Sequence, residues 1–308
     1  DQRIQVATHV SCSISRCFCN LMIPELACRY THSPEHFMSQ PRTVAIAGLG
    51  AIGLKVAHAL DRGDLPGLSL VAVAARDAAK AERNLATFKA KPKLVPLADL
   101  PALADIVVEC IPAVHFAAIA TATVEAGKLF MPLSVGQLLK HMELVERAKQ
   151  TGARILVPTG ALLGLDAVRA VSEGEVYSVK IVTRKPPAGL KGAPLLVAHN
   201  ISVDGLTVPL KVFEGNAREA IAGFPANVNV AVALSLAGIG PDRTRVEIWA
   251  DPSVTRNTHT IEVTSSSSDL TMTIASIPSE ENPATGKITA LSVIAALRRL
   301  TAPLVVGT

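Results

Sequence analysis

The stretch Gly48-Leu49-Gly50-Ala51-Ile52-Gly53 constrains this chain more than any other. It follows the short apolar run Val44–Ala47 and precedes a segment in which Ile52, Val56 and Leu60 recur at helical spacing. The order is therefore buried strand, glycine turn, helix, the context in which G-x-G-x-x-G has a mechanism. Gly48 permits the tight turn, Gly50 lets backbone approach a pyrophosphate, and Gly53 lets the helix pack closely on the strand. The helix start, with Ala51 and Ile52 in its first turn, presents unpaired N–H groups and partial positive charge to the phosphates. The segment predicts a dinucleotide site.

The second strand, "LSLVAVAARD", ends where the ribose-binding residue of such a fold is expected, about twenty residues past the glycines. Arg76 comes first there and Asp77 second. An acid favours NAD through the ribose 2′-hydroxyl, whereas an arginine neutralises the 2′-phosphate of NADP. The pair leaves the choice open between NAD and NADP, and use of both is the expectation, with Arg76 as the cofactor contact. An ordinary solvated turn is the alternative.

Further α/β units follow. "ADIVVECIP" reads as strand, "AAIATATVEAG" as helix, "KLFMPLS" as strand, "LLKHMELVERAKQTG" as helix, and "RILVPTGAL" as strand with its loop. That alternation predicts a Rossmann-type doubly wound parallel sheet. Beyond about residue 165 the pattern changes. "YSVKIVTRKPP", "LTVPLKVFEG", "TRVEIWADP" and "HTIEVTSSSSDLTMTIASIP" read as strands, with Ser265–Ser268 a hairpin loop and "ANVNVAVALSLAG" a helix among them. The expectation is an α/β fold in which residues 41–164 bind the dinucleotide and residues 165–284 form an α+β substrate domain on a mostly antiparallel sheet. Residues 285–308 are expected to carry a helix, "TALSVIAALRRL", that stops before Pro303 and packs back on the first domain.

Residues 1–40 show no sustained period, and four of the five cysteines (Cys12, Cys17, Cys19, Cys28) lie in them. Their spacing lacks the paired knuckles of a structural zinc site, so no metal is expected. Met38 stands just ahead of the first strand and is read as the start. The preceding segment is then an over-extended reading frame or a dispensable leader. A targeting presequence is the rival reading, opposed by Asp1, Glu25 and Glu35 among its arginines.

Composition narrows the function classes. Aromatic residues make up 3% of the chain, too few for base-stacking platforms, and no apolar run reaches membrane-spanning length. Neither a nucleic-acid nor a membrane partner is expected, and the location is read as cytoplasmic. The net charge of +4 suits an enzyme handling small anions.

The octapeptide "RNTHTIEV" places His259 on the strand face otherwise occupied by Ile261 and Val263. Two readings compete: a core histidine with a satisfied hydrogen bond, and a general acid/base aimed into a pocket. Asn227 and Asn229, two apart in a predicted helix, point in different directions, and either could instead cap the helix start. Arg184, Lys185, Lys211 and Arg256 are the cations available for an anionic substrate. Cys110 and His115 follow the strand "DIVVECIP" and should lie near the carboxyl edge of the sheet. Cys110 is read as a small buried residue, because no proton acceptor stands beside it.

The segments "GLGAIG", "PTGALLGLDAV", "EGNAREAIAGFPANVNVAVALSLAGIGPDRTRVEIWADP", "NTH" and "ENPATGKITALSVIAALRRL" together resemble the L-aspartate dehydrogenase family over about residues 42–303. The resemblance implies NAD- or NADP-dependent oxidation of L-aspartate to iminoaspartate. The imine hydrolyses to oxaloacetate and ammonia or feeds pyridine-nucleotide biosynthesis. It implies Ala161 and Asn229 as cofactor contacts, His259 as the catalytic histidine, and a homo-oligomer, at least a dimer. The rival readings are a reductase of another imine or semialdehyde, and a non-catalytic NAD(P)-responsive binding protein. The intact "NTH" counts against the second.

Overall fold

The computed structural model describes residues 41–225, 228–282 and 285–307. Residues 1–40, with Met38 and four of the five cysteines, and also Asn227, lie outside the described residues. Six strands form the first sheet: β1 (Arg42–Ala47), β2 (Leu68–Ala74), β3 (Lys93–Leu94), β4 (Ile106–Glu109), β5 (Leu129–Pro132) and β6 (Arg154–Ile155). Their order is β3-β2-β1-β4-β5-β6 and every pairing is parallel. A parallel sheet is buried on both faces, which is why its strands read as unbroken apolar runs.

Alternation within β1 shows how the two faces are filled. Val44 and Ile46 pack with Val56 and Leu60 of the helix Ala51–Asp61 and with Val293 and Leu297 of the final helix Ile288–Arg299. Ala45 and Ala47 face Phe116, Ile119 and Leu144 on the other side. The final helix thus belongs to the core of the parallel sheet, and the chain turns at Thr301–Ala302 just before Pro303.

The second sheet contains β7 (Val176–Lys185), β8 (Leu210–Asn216), β9 (Thr244–Ala250), β10 (Thr258–Ser265) and β11 (Asp269–Ala275), in the order β11-β10-β7-β9-β8. All its pairings are antiparallel except that of β7 with β9. Val179, Ile181, Ile248, Ile261 and Val263 form its core face against Phe224 and Val232. The serine stretch is the β10–β11 hairpin turn, where the Ser265 hydroxyl takes the Ser268 N–H at 3.0 Å. Both sheets belong to one compact unit.

Two elements differ from the sequence reading. The helix expected over "LLKHMELVERAKQTG" starts only at Glu143 and runs to Thr151, and a separate short helix, Val135–Leu138, precedes it. Between them the chain turns so that the His141 ring stacks on Phe116 and its Nδ1 meets Glu143 at 3.0 Å. The strand expected over "LTVPLKVFEG" starts only at Leu210, because Pro209 has no N–H for a ladder.

Candidate active site

The glycine turn lies where the strand order reverses, between β1 and β4. Gly48 has φ +98°, a conformation natural to glycine, and a Cβ there would stand 2.5 Å from the Cys110 carbonyl oxygen. A Cβ on Gly53 would collide with the Gly48 carbonyl oxygen, so helix and turn touch through backbone alone. A Cβ on Gly50 would meet nothing within 4 Å. Of the three, then, Gly50 is the one that leaves space, and it caps the helix Ala51–Asp61 without any side-chain acceptor on its first N–H groups. This open cradle fits a pyrophosphate. Arg76 is exposed at the end of β2. Asp77 caps the next helix, its Oδ1 accepting the Lys80 N–H at 2.9 Å.

Beside the turn, a cavity of about 160 Å³ opens between the two sheets. Ile52, Ala161, Asn229 and His259 all line it, so four residues singled out from sequence meet around one cavity. Gly48, Gly50, Ala51 and Gly53 form the adjoining turn, while Arg76 does not reach the cavity. Asn229 is the first residue of the helix Asn229–Ala237 but does not cap it. Its Oδ1 accepts the Gly136 N–H at 2.9 Å, fixing the amide against the helix Val135–Leu138. The loop carrying Ala161 is held by the Gly160 N–H, which donates to Ser292 Oγ at 3.0 Å on the final helix.

His259 is 3% exposed, and its Nδ1 lies 3.0 Å from Thr183 Oγ1 on the neighbouring strand. It is therefore both a core histidine with a satisfied hydrogen bond and a cavity-lining one. Burial, reinforced by the Lys185 charge, pushes its pKa down to about 3, so the imidazole is neutral and has a lone pair to offer. Sequence reasoning did not find Thr183. The signal was there in strand spacing, since Thr183 shares a face with Val179 and Ile181.

The structure separates the four candidate cations. Lys185 lines the cavity at 6% exposure, and burial lowers its pKa to about 8. Arg184, one residue earlier, points to the other face, where it pairs with Asp251 at 2.9 Å and lies over the Trp249 ring. Lys211 pairs with Glu214, and Arg256 is exposed outside the cavity. His115 is exposed as well and does not line the cavity.

Cys110 keeps its thiol, pushed well up by burial and by the neighbouring Glu109 carboxylate. Glu109 was also missed from sequence. Fully buried at the end of β4, it accepts the N–H groups of Ile111, Leu133 and Ser134 and the Ser134 hydroxyl. Desolvation raises its pKa while those donors oppose the shift. This carboxylate ties the turn after β4, which abuts Gly48, to the turn after β5, which lines the cavity through Leu133.

A parallel sheet with an open glycine cradle at its switch point, faced across a cavity by a buried histidine on a second sheet, defines a dinucleotide-dependent oxidoreductase. Comparison with known proteins narrows the class. Residues 166–300 match the family described as "Aspartate dehydrogenase, C-terminal", and residues 48–158 match "Homoserine dehydrogenase, NAD binding domain". The chain is 58% identical over 280 residues to an L-aspartate dehydrogenase of Bradyrhizobium diazoefficiens, covering 91% of this chain and 99% of that protein. It is 56% identical over 265 residues to L-aspartate dehydrogenase 3 of Bordetella bronchiseptica, covering 86% and 97%. The crystal structure of an aspartate dehydrogenase from Thermotoga maritima shares the fold, with a TM-score of 0.65, 24% identity, and coverage of 86% of this chain and 99% of that one. The chain belongs to the L-aspartate dehydrogenase family.

Proposed function

We propose that this protein oxidises L-aspartate to iminoaspartate with NAD or NADP, His259 acting as general acid/base. The observation that carries the reading is the cavity that Ile52 of the glycine turn, Ala161, Asn229 and His259 line together. Bound in the cradle, the nicotinamide dinucleotide supplies the hydride acceptor. The remaining work falls to the chain. Gly50 and the N–H groups that follow it would hold the phosphates, and Ala161 and Asn229, which line the cavity, would contact the cofactor there. His259 Nε2 takes the proton that the substrate ammonium must lose before its lone pair can assist departure of the Cα hydride. Burial holds the imidazole neutral, so Nε2 keeps its lone pair and Thr183 accepts the Nδ1–H that this tautomer requires; carboxylate charge brought beside the ring by the substrate would raise its basicity for the transfer. The protonated ring can then return its proton as water adds to the imine.

The product serves pyridine-nucleotide biosynthesis or yields oxaloacetate and ammonia. The working form is read as a cytoplasmic homodimer acting on a small molecule, with no nucleic-acid or membrane partner. Among the described residues no helix is long and apolar enough to cross a membrane. The test is nicotinamide reduction by purified protein with L-aspartate, using NAD and NADP separately, beside His259→Ala. Aspartate-dependent reduction that collapses in the variant while cofactor still binds supports the reading. Normal cofactor binding without turnover in either case rejects it.

A further inference from the structure

The ends of three strands place a row of polar side chains one step beyond His259. In the β10–β11 and β10–β7 registers His259 stands between Ile274 and Thr183, and Thr258 between Ala275 and Arg184. One residue further out, Asn257 falls between Ser276 and Lys185, and the Ser276 N–H bonds the Asn257 carbonyl at 2.9 Å. Side chains alternate along a strand, so Lys185, Asn257 and Ser276 return to the face that carries His259. All three line the cavity. Two are almost fully buried, Lys185 at 6% and Ser276 at 5% exposure.

Ser276 Oγ, enclosed on this wall, makes no hydrogen bond among the described residues. A buried hydroxyl left without a partner is costly, and natural proteins retain one where a ligand completes it. Gly286 keeps the space open, since a Cβ there would stand 3.1 Å from Ser276 Cβ. An ammonium, an amide and a hydroxyl in one row present hydrogen-bond donors to a single anionic group, and the ammonium supplies the charge.

We infer that the Lys185–Asn257–Ser276 row is a carboxylate shelf, on which one carboxylate of the substrate is held beside His259. The proposal rests on the reading of the substrate as a dicarboxylic amino acid and assigns that acid's anchoring residues. Bringing a carboxylate to Lys185 favours the charged ammonium that burial disfavours. The other titratable group lining the cavity is His259, neutral near pH 8. On the adjoining β9 end, the Asp251 N–H bonds the Lys185 carbonyl, and the Asp251 carboxylate is engaged by Arg184 and Ser253.

Succinate, a dicarboxylate that cannot be oxidised at an amine, is the probe. Its binding to the cofactor-loaded protein is measured at pH 8 by calorimetry in buffers of different ionisation enthalpy. Burial lowers the Lys185 pKa to about 8, so carboxylate binding near that pH is expected to draw in a net fraction of a proton, fading towards pH 6. Lys185→Met should weaken succinate about 100-fold and abolish the uptake, with cofactor affinity unchanged. Ser276→Ala should weaken it about 10-fold and keep the uptake. Absent succinate binding, binding without uptake in the wild type, or unchanged affinity in Lys185→Met overturns the shelf. The uptake measurement needs no variant, so it decides even where one fails to fold. Aspartate turnover by the wild type reports separately: turnover with a succinate-insensitive Lys185 sinks the shelf alone, and succinate uptake without turnover sinks the aspartate reading alone.

Discussion

His259 and Thr183 face one another across β10 and β7, with Nδ1 and Oγ1 3.0 Å apart and both residues buried. A hydroxyl is a neutral partner. It orients the imidazole and selects a tautomer without the charge that a carboxylate would lend to the protonated ring. Thr183→Val keeps the shape and removes the hydrogen bond, leaving Nδ1 unsatisfied. The expected result is a fall in kcat with L-aspartate of about 10-fold, with cofactor affinity unchanged, and Thr183→Ser should restore most of it. Steady-state kinetics of the two variants, with cofactor titrations, make the check.

The same burial has a consequence for stability. The His259 pKa is about 3 in the folded protein, against about 6.5 when unfolded. Below pH 6.5 the unfolded chain therefore binds a proton that the folded one refuses, so stability falls as pH drops from 6.5 towards 3. At pH 5 the loss relative to pH 7.5 is about 2 kcal/mol from this group. His259→Gln removes it. Denaturant unfolding at the two pH values should show the wild type losing about 2 kcal/mol more than the variant, and equal losses would mean that the imidazole titrates normally.

Much of this was legible in the sequence because periodicity and glycine chemistry are local. The strand–turn–helix around Gly48–Gly53, the parallel alternation and the serine hairpin need only neighbours along the chain. What was not legible depends on register between distant strands. Thr183 and Lys185 lie more than seventy residues from His259, and Ser276 becomes a neighbour of Asn257 only when β11 folds onto β10. In the same way Arg184 and Lys185 read alike as adjacent cations, yet strand alternation sends one to Asp251 and Trp249 and the other into the cavity. Glu109 looked like part of an apolar strand, and its role as an acceptor exists only because the turns after β4 and β5 converge on it.

Two glycines of the turn, Gly50 and Gly53, should separate by experiment. Gly53→Ala drives a methyl into the Gly48 carbonyl, a backbone contact that cannot rotate away. It should cost about 2–4 kcal/mol of stability. Gly50→Ala places its methyl in open space with an extended backbone that any residue adopts. Stability should stay within about 0.5 kcal/mol while cofactor affinity drops at least about 10-fold, because the methyl occupies the phosphate cradle. Denaturant unfolding without cofactor and a cofactor titration distinguish the two. Equal destabilisation by both substitutions would show that the turn is structural throughout.

Arg76 and Asp77 are expected to set the choice of cofactor. The Asp77 side chain is occupied in capping the helix Ala78–Leu85, whereas Arg76 stands exposed at the end of β2, near the expected ribose position. A guanidinium there meets a 2′-phosphate as a charge-assisted, bidentate partner and has far less to gain from a neutral 2′-hydroxyl. Arg76→Ala should therefore raise KM for NADP about 10-fold and leave KM for NAD within about 2-fold. Asp77→Ala should cost about 1 kcal/mol of stability through the lost cap. Initial rates with each cofactor, taken at two salt concentrations, add a second criterion. The NADP penalty should shrink at high ionic strength, because the lost interaction is between exposed charges and is screened. A penalty that falls equally on both cofactors would instead place Arg76 at the pyrophosphate rather than at the ribose.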